Sequence, residues 1–238
     1  MKHVQYDLGF LEQRNRISSS KSTFKGTSSN MLRLGRVYSA VLFDMDGTLL
    51  DSRTVVERVL TNWAAANDVD PVALLVVSHG RRTIDTLRDF AKAGSDCEAE
   101  AAKIEKAETD DVEGIVAIPG AVDLVNRLPS GRWAIVTSAG RNLAIRRLTA
   151  AGLPIPEVLV TAEDIESGKP DPEGYRLAAE RLGTDPENCL VFEDAAAGIQ
   201  AGLNAGSDVV AIGFASPDDA QPDCPVVADF HAIEFRLS

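Results

Sequence analysis

The sequence predicts an α/β protein: a doubly wound, parallel, Rossmann-like sheet core interrupted by an inserted all-helical cap domain. Three observations carry this reading. Short apolar runs recur at Val41-Leu42-Phe43, Trp133-Ala134-Ile135-Val136, Val158-Leu159-Val160, Leu190-Val191-Phe192 and Val209-Val210-Ala211-Ile212. Runs of this length bounded by turn residues read as buried strands. From residue 119 onward they alternate with helical segments, the pattern of a parallel sheet with right-handed crossovers. Between Ser52 and Gly114 the chain offers helices and no convincing strand, so the first strand is separated from the others by a helical insert.

The first apolar run, led by Tyr38, stops abruptly at Asp44-Met45-Asp46-Gly47-Thr48. Side chains two apart share a face of a strand, so Asp44 and Asp46 begin on the same side where the strand ends. Strand carboxyl ends are where open α/β sheets place their sites, and folding alone does not require two acids there. The insert holds helices over residues 55–66, 83–93 and 98–108, rich in Ala, Leu, Glu and Lys. Pro119-Gly120 opens a helix through Leu128. The strand at 133–136 ends in Thr137-Ser138, and a helix over 142–151 follows. After the strand at 158–160, Asp171-Pro172 starts a helix, with Asp as cap and Pro in the first turn. The strand at 189–192 runs into Glu193-Asp194. The helix over 195–205 carries Gly198 and Gly202 four apart, a small face suited to close packing on a sheet. Residues 226–228 form the last strand.

Composition narrows the function classes. The hydrophobic fraction of 45% supplies a buried core, while aromatics at 5% argue against a stacking platform for single-stranded nucleic acid. No apolar run approaches the roughly 18 residues of a membrane span. The net charge is −12, but residues 1–36 carry seven Lys/Arg against two Asp/Glu, which leaves −17 on the rest. Such an acidic body repels nucleic acid and anionic membrane. Residues 1–36, serine-rich and without an apolar period, read as a disordered basic tail, or as sequence preceding a true start at Met31. The expected domains are then 37–51 with 118–238 as the core, and 52–117 as the cap. Cys97, Cys189 and Cys224 lack metal-ligand spacing and read as reduced thiols of a cytoplasmic protein.

Each polar strand end has a plain structural alternative. Thr137-Ser138 serves equally as a turn or cap, Lys169 as a solvated surface charge, and Asp194 as the cap of the following helix. Glu193 has no such alternative, because it directly continues an apolar strand.

Taken together, Asp44-Met45-Asp46-Gly47-Thr48, Thr137-Ser138, Lys169 and Glu193-Asp194 resemble, in order and spacing, the four motifs of the haloacid-dehalogenase-like superfamily, from Val37 to about Ile212. The segment 192–199 (FEDAAAGI) and Pro119-Gly120 resemble its subgroup with a helical cap inserted after the first motif. His79-Gly80-Arg81-Arg82-Thr83 with Asp85 resembles the cap of the sugar and glycerol-phosphate phosphatases. The resemblance implies a Mg²⁺-dependent phosphatase of small phosphorylated sugars or polyols. Asp44 would be the nucleophile that carries a phosphoaspartate, and Asp46 the general acid and base. Thr137, Ser138 and Lys169 would bind phosphate. Asp44, Asp46 through its carbonyl, and Asp194 would bind metal, with Glu193 in or next to that shell. His79, Arg81 and Arg82 would select the substrate.

Charge counting supports the cation: four carboxylates with one lysine carry −3 when ionised, a field that repels a phosphate dianion. Hard oxygen ligands suit Mg²⁺ rather than Zn²⁺.

Three enzymatic rivals and one non-enzymatic one are open. The family's dehalogenases lack the second aspartate, present here as Asp46. Its β-phosphoglucomutases carry a histidine where this chain has Val56, which favours hydrolysis. A phosphoglycolate phosphatase would show the same core motifs. A catalytically silent scaffold is disfavoured because every motif residue is kept. The expected partner is a small phosphorylated metabolite, with no nucleic acid and no membrane, acting on a monomer or, alternatively, a weak homodimer.

Overall fold

The computed structural model describes residues 31–213 and 222–238. Its main sheet has six strands, all parallel: β2 (Ala40–Phe43), β5 (Trp133–Val136), β6 (Val158–Val160), β7 (Cys189–Glu193), β8 (Asp208–Ile212) and β9 (Val226–Val227). Their order is β6-β5-β2-β7-β8-β9. The chain winds outward from β2 through β5 to β6, then returns to β7 on the other side of β2. The direction reverses between β2 and β7, and a crevice at such a switch point is where doubly wound sheets hold ligands.

Period-two alternation decides which residue enters which layer. On β2, Val41 and Phe43 join one core cluster while Ala40 and Leu42 join the other. The first cluster packs under α5 (Ala121–Val125) and α6 (Arg141–Ala150), with Phe43 and Phe192 stacked at 5.3 Å and Phe230 edge-on to both. The second packs under α7 (Glu173–Arg181) and α8 (Ala196–Ala205). The expected small face of α8 is present: Gly202 lies against Val191 and Val209.

The insert contains α1 (Arg53–Asn67), α2 (Pro71–Ser78), α3 (Thr83–Phe90) and α4 (Cys97–Asp110). It has its own core of Leu60, Trp63, Ala64, Leu74, Leu87 and Ile104. Two short antiparallel strands, β3 (Leu50–Asp51) and β4 (Val116–Ala117), form its stem. Helix α2 was not among the expected helices, although Asp70 caps it and Pro71 opens it. Its apolar run lacks the polar face that marks a helix by period.

The expected tail needs correction at its inner end. Leu32–Tyr38 is strand β1, which pairs in parallel with a C-terminal strand, β10 (Ile233–Leu237). Leu32 and Leu34 pack on the core with Ile233, Phe235 and Leu237. The pairing partner lies some two hundred residues away, so no local pattern announces it. Residues 1–30 fall outside the described residues. Helix α7 also starts later than expected: Pro172 is the residue before it, and Asp171 accepts from the Glu173 N–H at 2.9 Å.

Candidate active site

Asp44 extends β2 by one step, donating its N–H to the Phe192 carbonyl at 2.9 Å. That bond places its carboxylate at the switch point, 5% exposed. The chain then turns at Gly47, whose N–H donates to Leu50 O at 2.7 Å. Gly47 has φ +91°, and a Cβ there would overlap the Asp194 carboxylate. Only glycine meets both demands.

Lys169 is not a solvated surface charge. Its ammonium is buried, 2.5 Å from Asp44 Oδ1, 2.6 Å from Glu193 Oε1 and 3.3 Å from the Val136 carbonyl. Glu193 is wholly buried and accepts four hydrogen bonds. Lys169 and the Tyr175 hydroxyl (2.8 Å) donate to Oε1, and the N–H groups of Asp194 (2.9 Å) and Ala195 (3.2 Å) donate to Oε2. Gly198 leaves room for this carboxylate under α8.

Asp194 does not cap α8; no side chain among the described residues does. Its Oδ1 accepts from Thr48 at 3.4 Å and its Oδ2 lies 3.1 Å from His79 Nε2. Thr137, buried at the end of β5, accepts from the Ala139 N–H at 3.1 Å and keeps its own hydroxyl proton to donate. The Ser138 hydroxyl instead donates to the Gly80 carbonyl of the cap at 3.0 Å.

One ammonium among three carboxylates leaves the cluster short of positive charge. Burial, with Glu193 and Asp194 close by, pushes the Asp44 carboxyl well up despite Lys169. The same carboxylates hold Lys169 charged above its ordinary range, against burial. Asp44, Glu193 and Asp194 offer oxygens within 4.8 Å of one another. Asp44 Oδ2 is buried with no hydrogen-bond partner among the described residues. A hard divalent cation fits this set of donors. Glu193, already accepting four bonds, has little left to offer it directly.

The cap residues divide. His79 reaches the cluster through Asp194, which raises its imidazole above the ordinary range. Arg82 grips Asp85 with Nε (2.7 Å) and Nη2 (3.2 Å), and donates from Nη1 to the Glu166 carbonyl at 3.0 Å, on the loop that carries Lys169. Arg81 spends its guanidinium inside the cap, on Asp89 and the Asp85 carbonyl.

Asp46 brings in residues that the sequence reading missed. Its Oδ1 accepts from the Ser52 hydroxyl at 2.6 Å and from Arg147 Nη1 at 2.9 Å. Arg147 Nη2 donates to Glu108 of the cap at 3.1 Å. Nothing in Arg146-Arg147 on an ordinary helix distinguishes the second arginine, and Tyr175 likewise reads as plain core.

Residues 38–206 match the model of the haloacid dehalogenase-like hydrolases. The chain belongs to that family. The hydrolase is 43% identical over 197 residues to hexitol phosphatase A of Escherichia coli, covering 81% of this chain and 90% of that one. It is 35% identical to glycerol-1-phosphate phosphohydrolase 1 of Saccharomyces cerevisiae, covering 73% and 74%. Among solved structures it is similar to a hydrolase from Pseudomonas syringae (26% identity, TM-score 0.65, covering 74% and 84%). It shares its fold with β-phosphoglucomutase of Clostridium difficile (21% identity, TM-score 0.68, covering 81% and 92%).

Proposed function

We propose that this hydrolase removes phosphate from small phosphorylated sugars or polyols through a phosphoaspartate on Asp44. The observation that carries the reading is the Asp44 carboxylate itself. It is buried at the switch point, held by Lys169 on one oxygen and bare on the other. The names of its relatives, a hexitol phosphatase and a glycerol-1-phosphate phosphohydrolase, support the substrate class.

In this reading Asp44 attacks phosphorus as the ester P–O bond breaks, dividing one displacement into two. Asp46 donates a proton to the departing alkoxide, then takes one from the water that releases phosphate. Lys169 faces the transferring group as a fixed positive charge, and the Thr137 hydroxyl and Ser138 N–H donate to its oxygens. Glu193 holds Lys169 and the Asp194 backbone in place. Mg²⁺ held by Asp44, Asp194 and the Asp46 carbonyl would supply charge stabilisation on the phosphoryl oxygens. The cap, latched through Gly80 and Arg82, shields this chemistry from water.

Val56, at the position of the mutase histidine, packs among the cap's apolar residues and brings no acid or base, which supports hydrolysis over transfer. Cys97, Cys189 and Cys224 are free thiols, which supports a reducing, cytoplasmic setting. Among the described residues no helix is long and apolar enough to cross a membrane.

The test is a screen of the full chain with Mg²⁺ against hexitol, hexose and glycerol phosphates, phosphoglycolate and p-nitrophenyl phosphate, with EDTA as control. Metal-dependent release of phosphate from the polyol and sugar esters is expected. Turnover of phosphoglycolate alone would overturn the substrate class, and no turnover would overturn the activity.

A further inference from the structure

Arg147 is 3% exposed, on the core helix α6, yet two of its three nitrogens serve partners on different bodies. Nη1 binds Asp46 beside the site, and Nη2 binds Glu108 near the end of the last cap helix. Its Nε is buried without a partner among the described residues. As a purely structural device this is a poor choice. A buried ion pair repays its desolvation only with full hydrogen bonding, and apolar residues of similar volume commonly do as well. Here two carboxylates share one guanidinium, and Glu108 is pushed up to about 7 by burial and by Asp46.

The geometry assigns Arg147 as a positioning residue that ties the orientation of Asp46 to the seating of the cap; this rests on Asp46 being the acid and base proposed above. Both donors to Asp46 Oδ1 belong to or depend on the cap. Ser52 stands where the chain enters α1, and Arg147 is held from behind by Glu108. With Oδ1 fixed at two points, Oδ2, which meets no protein donor among the described residues, is the oxygen left to exchange a proton. When α4 lifts off α6, Arg147 loses one of its two anchors and Asp46 loses its alignment. A guanidinium suits this task because its planar fork sets two acceptors at a defined angle, which an ammonium cannot do.

The inference predicts a defect confined to proton transfer. From glycerol 1-phosphate the leaving group is the glycerol alkoxide, which needs the acid; from p-nitrophenyl phosphate it is p-nitrophenolate, which departs readily without it. With Mg²⁺ and the full chain, Arg147→Lys and Arg147→Met should lower kcat on glycerol 1-phosphate roughly ten- to a hundredfold, with KM changed less than about threefold. The first-turnover release of p-nitrophenol should fall less than about threefold. Glu108→Ala should give the same split at smaller size, and Glu108→Gln, whose amide oxygen still accepts from Nη2, a smaller one again. Should Arg147→Met fail to fold, Arg147→Lys and Glu108→Ala carry the test. Equal losses on both substrates, a loss in KM alone, or no loss would overturn the assignment. Asp46→Asn separates the two levels. Full activity of that variant on glycerol 1-phosphate removes the underlying reading, whereas its inactivity beside an unaffected Arg147→Lys overturns this inference alone.

Discussion

Lys169 Nζ lies 2.5 Å from Asp44 Oδ1, and the two side chains are only 6% and 7% exposed. They are 125 residues apart in sequence and meet because the loop carrying Lys169 runs from β6 into α7, which packs across β6, β5 and β2. Glu193 and Asp194 add negative charge to the same volume, so the pair sits in surplus negative potential. Asp44→Asn removes one charge of that surplus while keeping the shape. We expect turnover to fall by at least about four orders of magnitude, since an amide cannot form the phosphoaspartate. The Tm in EDTA should stay level or rise. A large fall in Tm would show that Asp44 is needed for the fold, and activity within tenfold of wild type would remove it as nucleophile.

Metal should stabilise the folded chain apart from any activity. A ligand that binds only the native state raises stability by RT ln(1 + [L]/Kd), about 2.7 kcal/mol at a hundredfold excess over Kd. Mg²⁺ is therefore expected to raise the wild-type Tm by several degrees. Asp194→Asn should abolish most of that rise, because it takes one charged oxygen donor from the proposed metal set while leaving Lys169 paired with Asp44 and Glu193. A Mg²⁺ shift equal in both proteins would place the ion elsewhere.

What the sequence made legible follows from distance along the chain. The main-sheet strands and the residues at their tips were readable because each is a local event: an apolar run and a polar stop. Glu193 stood out because nothing local excused a charge at the end of Leu190-Val191-Phe192. The β1–β10 pair was not readable, since each strand is half-exposed and stabilised by the other. Arg147 was hidden for a related reason. Its partners come from the turn after β2 and from the cap, and no spacing within one helix encodes them. The cap arginines add a further case: the resemblance implies that Arg81 and Arg82 select the substrate, while their pairing with Asp89 and Asp85 of α3 is visible only in the structure.

The β1 strand sets the limit for truncation. A chain starting at Met31 retains Leu32, Leu34 and Arg36; one starting at Val37 loses all three. Arg36 donates to the Glu187 carbonyl and to Asp208, while the two leucines are half-buried against the core. Losing this apolar contact and the pairing should cost about 2–3 kcal/mol, or roughly 5–10 °C in Tm for a chain of this size. Removal of residues 1–30 alone is expected to leave Tm unchanged. Equal Tm for the Met31 and Val37 starts would mean that β1 contributes nothing to stability.

Glu108 predicts a specific dependence on pH. Its carboxyl faces Arg147 and Asp46 on the core and Glu105 on its own helix, and burial outweighs the arginine, raising it from the ordinary 4.5 to about 7. A raised value means the folded chain binds the proton more tightly than the unfolded chain. The resulting stability is complete below about pH 4.5 and is lost as pH rises through 7. Glu108→Gln mimics the protonated form and lacks this loss. The variant should therefore match wild type near pH 5 and exceed it above pH 7, by an amount on the order of 2–3 kcal/mol. A difference independent of pH would show that Glu108 is ionised throughout.

Arg82 is expected to act on the cap rather than on the choice of substrate. Its Nε and Nη2 are taken by Asp85, and Nη1 reaches the Glu166 carbonyl three residues before Lys169. Arg82→Ala leaves Asp85 half-buried without that partner and frees the cap from the lysine loop. Both consequences disturb closure for any ester, whatever its leaving group or polyol. We expect kcat/KM to fall roughly tenfold, about 1.4 kcal/mol, for a hexitol phosphate and p-nitrophenyl phosphate alike. Asp85→Asn, which keeps one acceptor, should give a milder form of the same loss. A defect on the hexitol phosphate alone would return Arg82 to direct contact with the substrate. It would also mean that the Asp85 pairing gives way when substrate binds.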